Sequence, residues 1–378
     1  MAISRIMTHF GDLPDPRKPL GRRHVLSDML VIAICAVICG ADGWSQVAAF
    51  GRAKHKWFAT FLRLPHGIPS HDTFGRVFAA LDPSAFERCF AGWVAHLAES
   101  SGGKLVSLDG KSIRRSFDHA WDASSMAHLV SAFVGANRLV LGQVAIDPGG
   151  DKPRGNEITA MDKLLDLLDL SGATVSIDAI GCQRATAAKI VHRRADYVLR
   201  VKENQPTLHA QVKRLLDEAL LDGQLDLERF EQVDGDHGRI ETRRVWTSDQ
   251  VQHLGLDEPW PHLASIACVE RVREVIGGSA SSERSYYISS IRQPNATAMA
   301  QAIRGHWSVE NQLHWHLDVS FGEDASRIRT DHAAENFSRL RRLALNQLQR
   351  EKSFKGGIKT KRLNCGWDHD YLLKVLSA

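Results

Sequence analysis

"KLVSLDGKSIRRS", residues 104–116, runs from an apolar strand into an aspartate and then at once into positive charge. Its core has an echo: "VSLDG" at 106–110 returns as "VSIDA" at 175–179, and each closes a buried strand on Ser, an aliphatic residue and Asp. The stretch between and beyond them alternates. "AHLVSAFVG" (127–135) and "RLVLGQVAID" (138–147) flank "ANR", a hairpin signal. "NEITAMDKLLDLLDL" (156–170) has helical spacing, with Asn156 as N-cap and Gly172 just past the end. Strand "ATVSIDA", helix "CQRATAAKIVHRR" and strand "DYVLRVK" follow. The order β, β, β, α, β, α, β describes an α/β sheet with an antiparallel edge. If the two echoing strands lie side by side and parallel, Asp109 and Asp178 emerge at one carboxyl edge, where open α/β sheets place ligands. Two carboxylates held close repel unless a proton or cation lies between them, and a divalent metal with oxygen ligands resolves the conflict.

The flanks read differently. Residues 1–100 show helical patterns without a strand series: an apolar helix near 26–39, "WSQVAAFGRAKHKWFATFL", and "PSHDTFGRVFAAL", where Ser70 is placed to cap. After residue 205 the alternation stops. A helix, "TLHAQVKRLLDEALL", leads into strands "GRIETRRVWT", "ASIACVERVREV" and "RSYYISSI", an insertion of mainly β character over 206–290. Helical spacing resumes over 291–350, and residues 351–378 form a basic C-terminal segment. From 325 to 378 the chain has 12 Lys and Arg against 5 Asp and Glu, a surplus compatible with a polyanionic partner and equally with solvated charge.

Composition narrows the class. A chain of 378 residues with 43% hydrophobic residues has enough apolar material for two or three structural units. The longest apolar run, "MLVIAICAVICG", is too short to span a bilayer and is flanked by Asp28 and Asp42, so a core helix is expected and no membrane partner. No secretory signal is legible at the N-terminus, and six scattered cysteines without CxxC spacing suit a reducing compartment; the expected location is the cytoplasm.

A third acid is legible further on. His306, Glu310 and His314 recur at intervals of four in "RGHWSVENQLHWHL" and share one face of a regular helix. Zinc is the obvious thought, but the spacing is not HExxH, and i and i+8 are too far apart on a straight helix for one ion.

At these residues the chain resembles DDE-class bacterial insertion-sequence transposases of the H-repeat-associated type. The segments that carry the resemblance are "DPRKPLGRRHVLSDMLVIAICAVICGADGW" and "GIPSHDTFGRVFAALDP", then "SLDGKSIRRS", "GNEITA", "SIDAIGCQ", "DYVLRVKENQ", "HGRIETR" and "YYISS". The last and longest is "RGHWSVENQLHWHLDVSFGEDASRIRTDHAAENFSRLRRLALN". The resemblance implies an RNase H-like mixed sheet with a β-rich insertion, preceded by a helical transposase-associated domain over 1–100. The catalytic core would occupy 101–205 and, with the glutamate helix, 291–350. It implies Asp109, Asp178 and Glu310 as the catalytic acids and as ligands of Mg²⁺ or Mn²⁺, two ions together. One departure is visible: the Tyr, Arg, Glu, Lys series of related transposases falls here on Ile303, His306, Glu310 and Leu317.

The implied chemistry is cleavage at element ends and strand transfer to target DNA by in-line phosphodiester displacement, with no covalent protein intermediate. Lys111, Arg114 and Arg115, then Lys202, Asn204 and Gln205, and Arg304 with His306 are the residues placed to meet the DNA backbone. The partners implied are double-stranded DNA, as inverted-repeat ends and as target, and a second copy of the chain on that DNA. Glu157, Asp318, Glu323 and Asp324 are further acids expected to pair with Arg327 or Arg329. Two other readings compete: a DNA-binding derivative that no longer transposes, and a phosphatase with Asp109 as nucleophile. The second is opposed by Lys111, which stands where such enzymes carry another Asp.

Overall fold

The computed structural model describes residues 2–98, 105–116, 126–147, 155–223, 225–236, 238–293 and 295–378. Among the described residues nine strands form one mixed sheet in the order β3-β2-β1-β4-β5-β9-β8-β7-β6. The strands are β1 (Leu105–Ser112), β2 (His128–Val134), β3 (Leu139–Ala145), β4 (Thr174–Ile177), β5 (Asp196–Val201), β6 (Glu228–Asp236), β7 (Arg239–Ser248), β8 (Ser265–Val275) and β9 (Ala280–Ser289). β1, β4 and β5 run parallel, in the register Ser107↔Ser176 and Ser176↔Val198. β2 and β3 are the antiparallel hairpin read around "ANR". The chain is α/β, as its alternation indicates.

By contact density the chain divides into two units, and the division is not linear in sequence. One gathers residues 1–100, 110–168 and 310–378; the other gathers 101–109 and 169–309. Within the second unit the insertion is no separate lobe: β9 pairs antiparallel with β5, and β8, β7 and β6 extend the same sheet. β6 has no apolar alternation to announce it. "ERFEQVDGD" is an edge strand held by cross-strand charge pairs such as Arg244 with Glu231 at 3.0 Å. Helix α10 (Ala296–His306) packs on this sheet through Met299, Ala302 and Ile303 against Val198, Val245, Ala267 and Tyr287.

In the first unit, α2 (Leu26–Ile38) is buried along its whole length, as its unbroken apolar run demands, and meets α11 (Ala333–Arg350). The N-caps read from sequence are present, while the helix that begins at Glu157 ends at Leu167, well short of Gly172. Ser70 accepts from Thr73 N at 3.2 Å, and Asn156 accepts from Thr159 N at 2.9 Å in a reciprocal capping box.

The cations counted from 325 to 378 divide: five of the twelve are buried and the others are exposed or half-buried. α11 is a core helix in which Arg339, Arg341 and Arg342 are 0–1% exposed. Arg339 bonds Glu87 at 2.5 Å and Glu335 at 3.0 Å, and Arg342 bonds Glu323 at 3.1 Å. Although burial pushes the Glu323 carboxyl up, Arg342 and Arg341 outweigh it and hold the group below its ordinary range. Arg362 follows the same logic, bonding carbonyls of Val37 and Ala41 and the Asp42 carboxylate. Part of the cationic charge is therefore internal, while Arg327, Lys352, Lys355, Lys359 and Lys374 stay exposed.

The glutamate segment also departs from a regular helix. α10 ends at His306, and Val309–His314 and His316–Ser320 continue as π-helical turns. Hydrogen bonds from i to i+5 replace those to i+4, so Glu310 and His314 lie on wider turns than the regular helix their spacing suggests.

Candidate active site

The paired register fixes the first two acids. Leu108 lies opposite Ile177 in the parallel β1–β4 pair, so Asp109 and Asp178 are the next residues along at the same carboxyl edge. Both are half-buried. Asp178 caps the short 3₁₀ turn that follows β4, its Oδ1 accepting from Ala179 N at 2.6 Å. That turn is pinned from the segment after β5: Asn204 donates to the Ala179 carbonyl at 2.7 Å and Gln205 to that of Cys182 at 3.0 Å. Of the polar residues expected near DNA, these two serve the loop behind Asp178.

Beneath the aspartates lies a polar layer. Side chains alternate along a strand, so Ser107 shares a face with Asp109, and Ser176 with Asp178. The Ser107 and Ser176 hydroxyls, both buried, are 3.0 Å apart, and Ser176 Oγ is 3.1 Å from His306 Nδ1. Burial pushes the His306 imidazole below its ordinary range against the opposing pull of Asp178. His306 thus points into the sheet.

The remaining expected residues divide by exposure. Lys111 is buried, its Nζ 2.7 Å from Asp318 and 3.3 Å from Asp324. Arg114 and Arg115 are exposed, Arg114 reaching Asp324 at 3.1 Å. Lys202 is exposed beyond β5, and Arg304 pairs with Asp234 at 3.1 Å on the surface. Glu310 is exposed at the second residue of the first π-helical turn, in the unit that does not contain the aspartates. Among the described residues no group of three or more His, Cys, Asp or Glu side chains is gathered tightly enough to hold a metal ion.

The other acids do pair, with partners different from those read in sequence. Asp318 and Asp324 take Lys111, Glu323 takes the α11 arginines, and Glu157, at the start of α7 (Glu157–Leu167), takes His128 at 2.5 Å. His128 Nδ1 in turn lies 2.7 Å from Ser112 Oγ. This cluster explains Gly110: a Cβ there would lie 2.5 Å from Glu157 Oε1 and 3.0 Å from His128 Nε2. Sequence reading misses it because His128 and Ser112 carry no spacing signal; only the hairpin brings them beside α7.

The donor set suits a hard divalent cation. Two carboxylates of like charge at neighbouring strand ends are the oxygen ligands that magnesium or manganese takes, and soft sulfur donors are remote in character: burial raises the Cys182 thiol to about 12.

Comparison with known proteins gives the family. A family model described as "DDE_Tnp_1-associated" matches residues 7–94, and one described as "Transposase DDE domain" matches residues 100–347. "Putative transposase YncI" of Escherichia coli O157:H7 is 37% identical over 100% of this chain and 96% of its own length. "H repeat-associated putative transposase YhhI" of Escherichia coli K12 is 34% identical over 100% and 99%. "Inactive transposase YbfQ" of the same strain is 39% identical over 20% of this chain and 92% of its own. A solved piggyBac transposase synaptic complex with hairpin DNA covers 100% of this chain and 79% of that one at TM-score 0.36 and 12% identity, a level that carries no argument. Two models that together run nearly end to end, and relatives aligned along their full length, make this chain a member of the DDE transposase family.

Proposed function

We propose that the protein is an active DNA transposase that cleaves at the ends of its element and transfers the freed strands to target DNA. The observation that carries this reading is Asp109 and Asp178 at adjacent parallel strand ends, within the span matched by the transposase DDE domain. Asp109, Asp178 and Glu310 are the proposed catalytic acids, and the three would hold Mg²⁺ or Mn²⁺. When bound, two such ions activate the attacking hydroxyl and stabilise the departing oxygen of an in-line displacement.

The chain's own residues have separable parts in this. Asp109 and Asp178 supply fixed negative charge at a sheet edge, and Asn204 and Gln205 hold the loop behind Asp178 in place. Arg114, Arg115 and Lys202 are the exposed cations assigned to the phosphate backbone, each such contact adding about one to the salt slope of binding. No side-chain nucleophile is assigned. The order β3-β2-β1-β4-β5 with its three parallel strands supports an RNase H-like core over 101–205 and 291–350, with 206–290 as its insertion. Synapsis of two ends would take two copies of the chain, in the cytoplasm.

The test is cleavage and strand transfer with Mg²⁺ on DNA carrying the flanking inverted repeats. Wild type is expected to nick the ends and join them to target, and Asp109→Ala to bind the ends without cutting. If wild type binds but also leaves the ends uncut, the protein is a DNA-binding derivative of a transposase.

A further inference from the structure

The layer under the two aspartates does more than fill space. Ser107 Oγ donates to the Gly305 carbonyl at 3.5 Å, lies 3.0 Å from Ser176 Oγ, and Ser176 Oγ lies 3.1 Å from His306 Nδ1. A carbonyl can only accept, so the polarity of the chain follows. Ser107 gives its one proton to Gly305 and accepts from Ser176; Ser176 has then given its own proton and accepts from His306. The imidazole is thereby a proton donor at Nδ1, and a hydrogen bond to the Ser176 backbone acts in the same direction.

Gly305 eases the close approach. A Cβ at this position would come within 2.2 Å of Leu105 Cδ2, so a larger residue would have to displace the Leu105 side chain for α10 to approach β1 this closely. The chain therefore ties the last turn of α10 to β1 and β4 two residues before each aspartate, and Glu310 follows His306 by four residues. The charged groups that act on His306 are Asp178 and Arg200.

We infer that His306 is a positioning residue: its Nδ1–H, through Ser176 and Ser107, seats the end of α10 on the strand ends that bear Asp109 and Asp178. It does not bind phosphate. This rests on the transposase reading above for its activity readout, and on the hydrogen-bond chain alone for its spectroscopic one.

The experiment uses the full chain with His306→Leu, His306→Asn, Ser176→Ala and the double variant S176A/H306L, with thermal unfolding to confirm that each is folded. His306→Leu and Ser176→Ala are expected to lower the cleavage rate at saturating end DNA about tenfold or more with end affinity unchanged. His306→Asn, which keeps an N–H close to Nδ1, is expected to recover to within about threefold, and the double variant to be no worse than its worst parent. Nitrogen NMR of labelled imidazoles, with His306 identified by difference against His306→Asn, is expected to show Nδ1 protonated and to lose that signature in Ser176→Ala. The inference is overturned by a wild-type rate in His306→Leu, by losses that multiply in the double variant, by weakened DNA binding at an unchanged rate, or by a bare Nδ1. A wild type that cleaves nothing yet shows the Nδ1–H signature overturns the transposase reading and leaves the hydrogen-bond chain standing.

Discussion

The strand edge of β1 and β4 and the buried helix α11 both concentrate charge, and they treat it in opposite ways. In α11 each buried guanidinium meets carboxylates within the same body: Arg339 has Glu87 and Glu335, and Arg342 has Glu323. At the strand edge two carboxylates of the same sign end neighbouring strands and stay half-buried. Compensated charge in the core makes architecture, because removing either partner strands the other in a low dielectric. Two like charges brought to one sheet edge are instead a donor set for a cation, which is the use proposed for them.

The contrast breaks most visibly at the site. Asp178→Asn is expected to abolish strand cleavage while the thermal midpoint stays nearly unchanged, since Asn keeps an oxygen to accept from Ala179 N; unfolding curves beside the cleavage assay check both halves. A large drop in midpoint would mean that Asp178 is architectural.

The opposite pattern is expected in the core. Glu323→Gln leaves Arg341 and Arg342 without their shared carboxylate and should cost about 3–5 kcal/mol in urea unfolding. A loss under about 1 kcal/mol would show that the arginines are compensated elsewhere.

A pH prediction sharpens the same point. Burial pushes the Glu351 carboxyl up, but hydrogen bonds from Ser353 and Tyr371, with Lys361 nearby, outweigh it and hold the group at about 2. A carboxyl depressed on folding contributes stability that is complete above its ordinary 4.5 and is lost as pH falls toward 2. Glu351→Gln should flatten that limb of the stability profile and leave stability nearly independent of pH between about 2 and 4.5 as far as this group is concerned.

The smallest effect is expected at Arg304. Its pair with Asp234 is half-exposed, so Arg304→Ala should change stability by about 0–1 kcal/mol, screened further by salt.

The order of elements around the site is legible because its signals are local. Period-two runs, the hairpin turn, and the caps at Ser70 and Asn156 each depend on neighbours a few residues away. The echo of "VSLDG" and "VSIDA" is enough to place Asp109 and Asp178 at one edge, since parallel strands that end alike bring like residues together. The edge strand β6 is not legible: its stability comes from partners across the sheet, and "ERFEQVDGD" has no apolar face of its own. The π-helical turns after α10 are illegible for a related reason, since helical periodicity in sequence does not distinguish hydrogen bonds to i+4 from those to i+5.

The sequence alone determines the class of the protein, the alternation that builds the sheet, and the shared strand-end position of the two aspartates, because these rest on covalent order and short-range preference. Tertiary structure alone decides what each charge is for. Arg342 and Arg114 are the same side chain, yet one is sealed against Glu323 and the other is exposed. Lys111 and His306 read in sequence as residues for DNA, and the fold turns the first to Asp318 and the second to Ser176. Charge acquires its role from dielectric and partner, and both are set by residues distant in the chain.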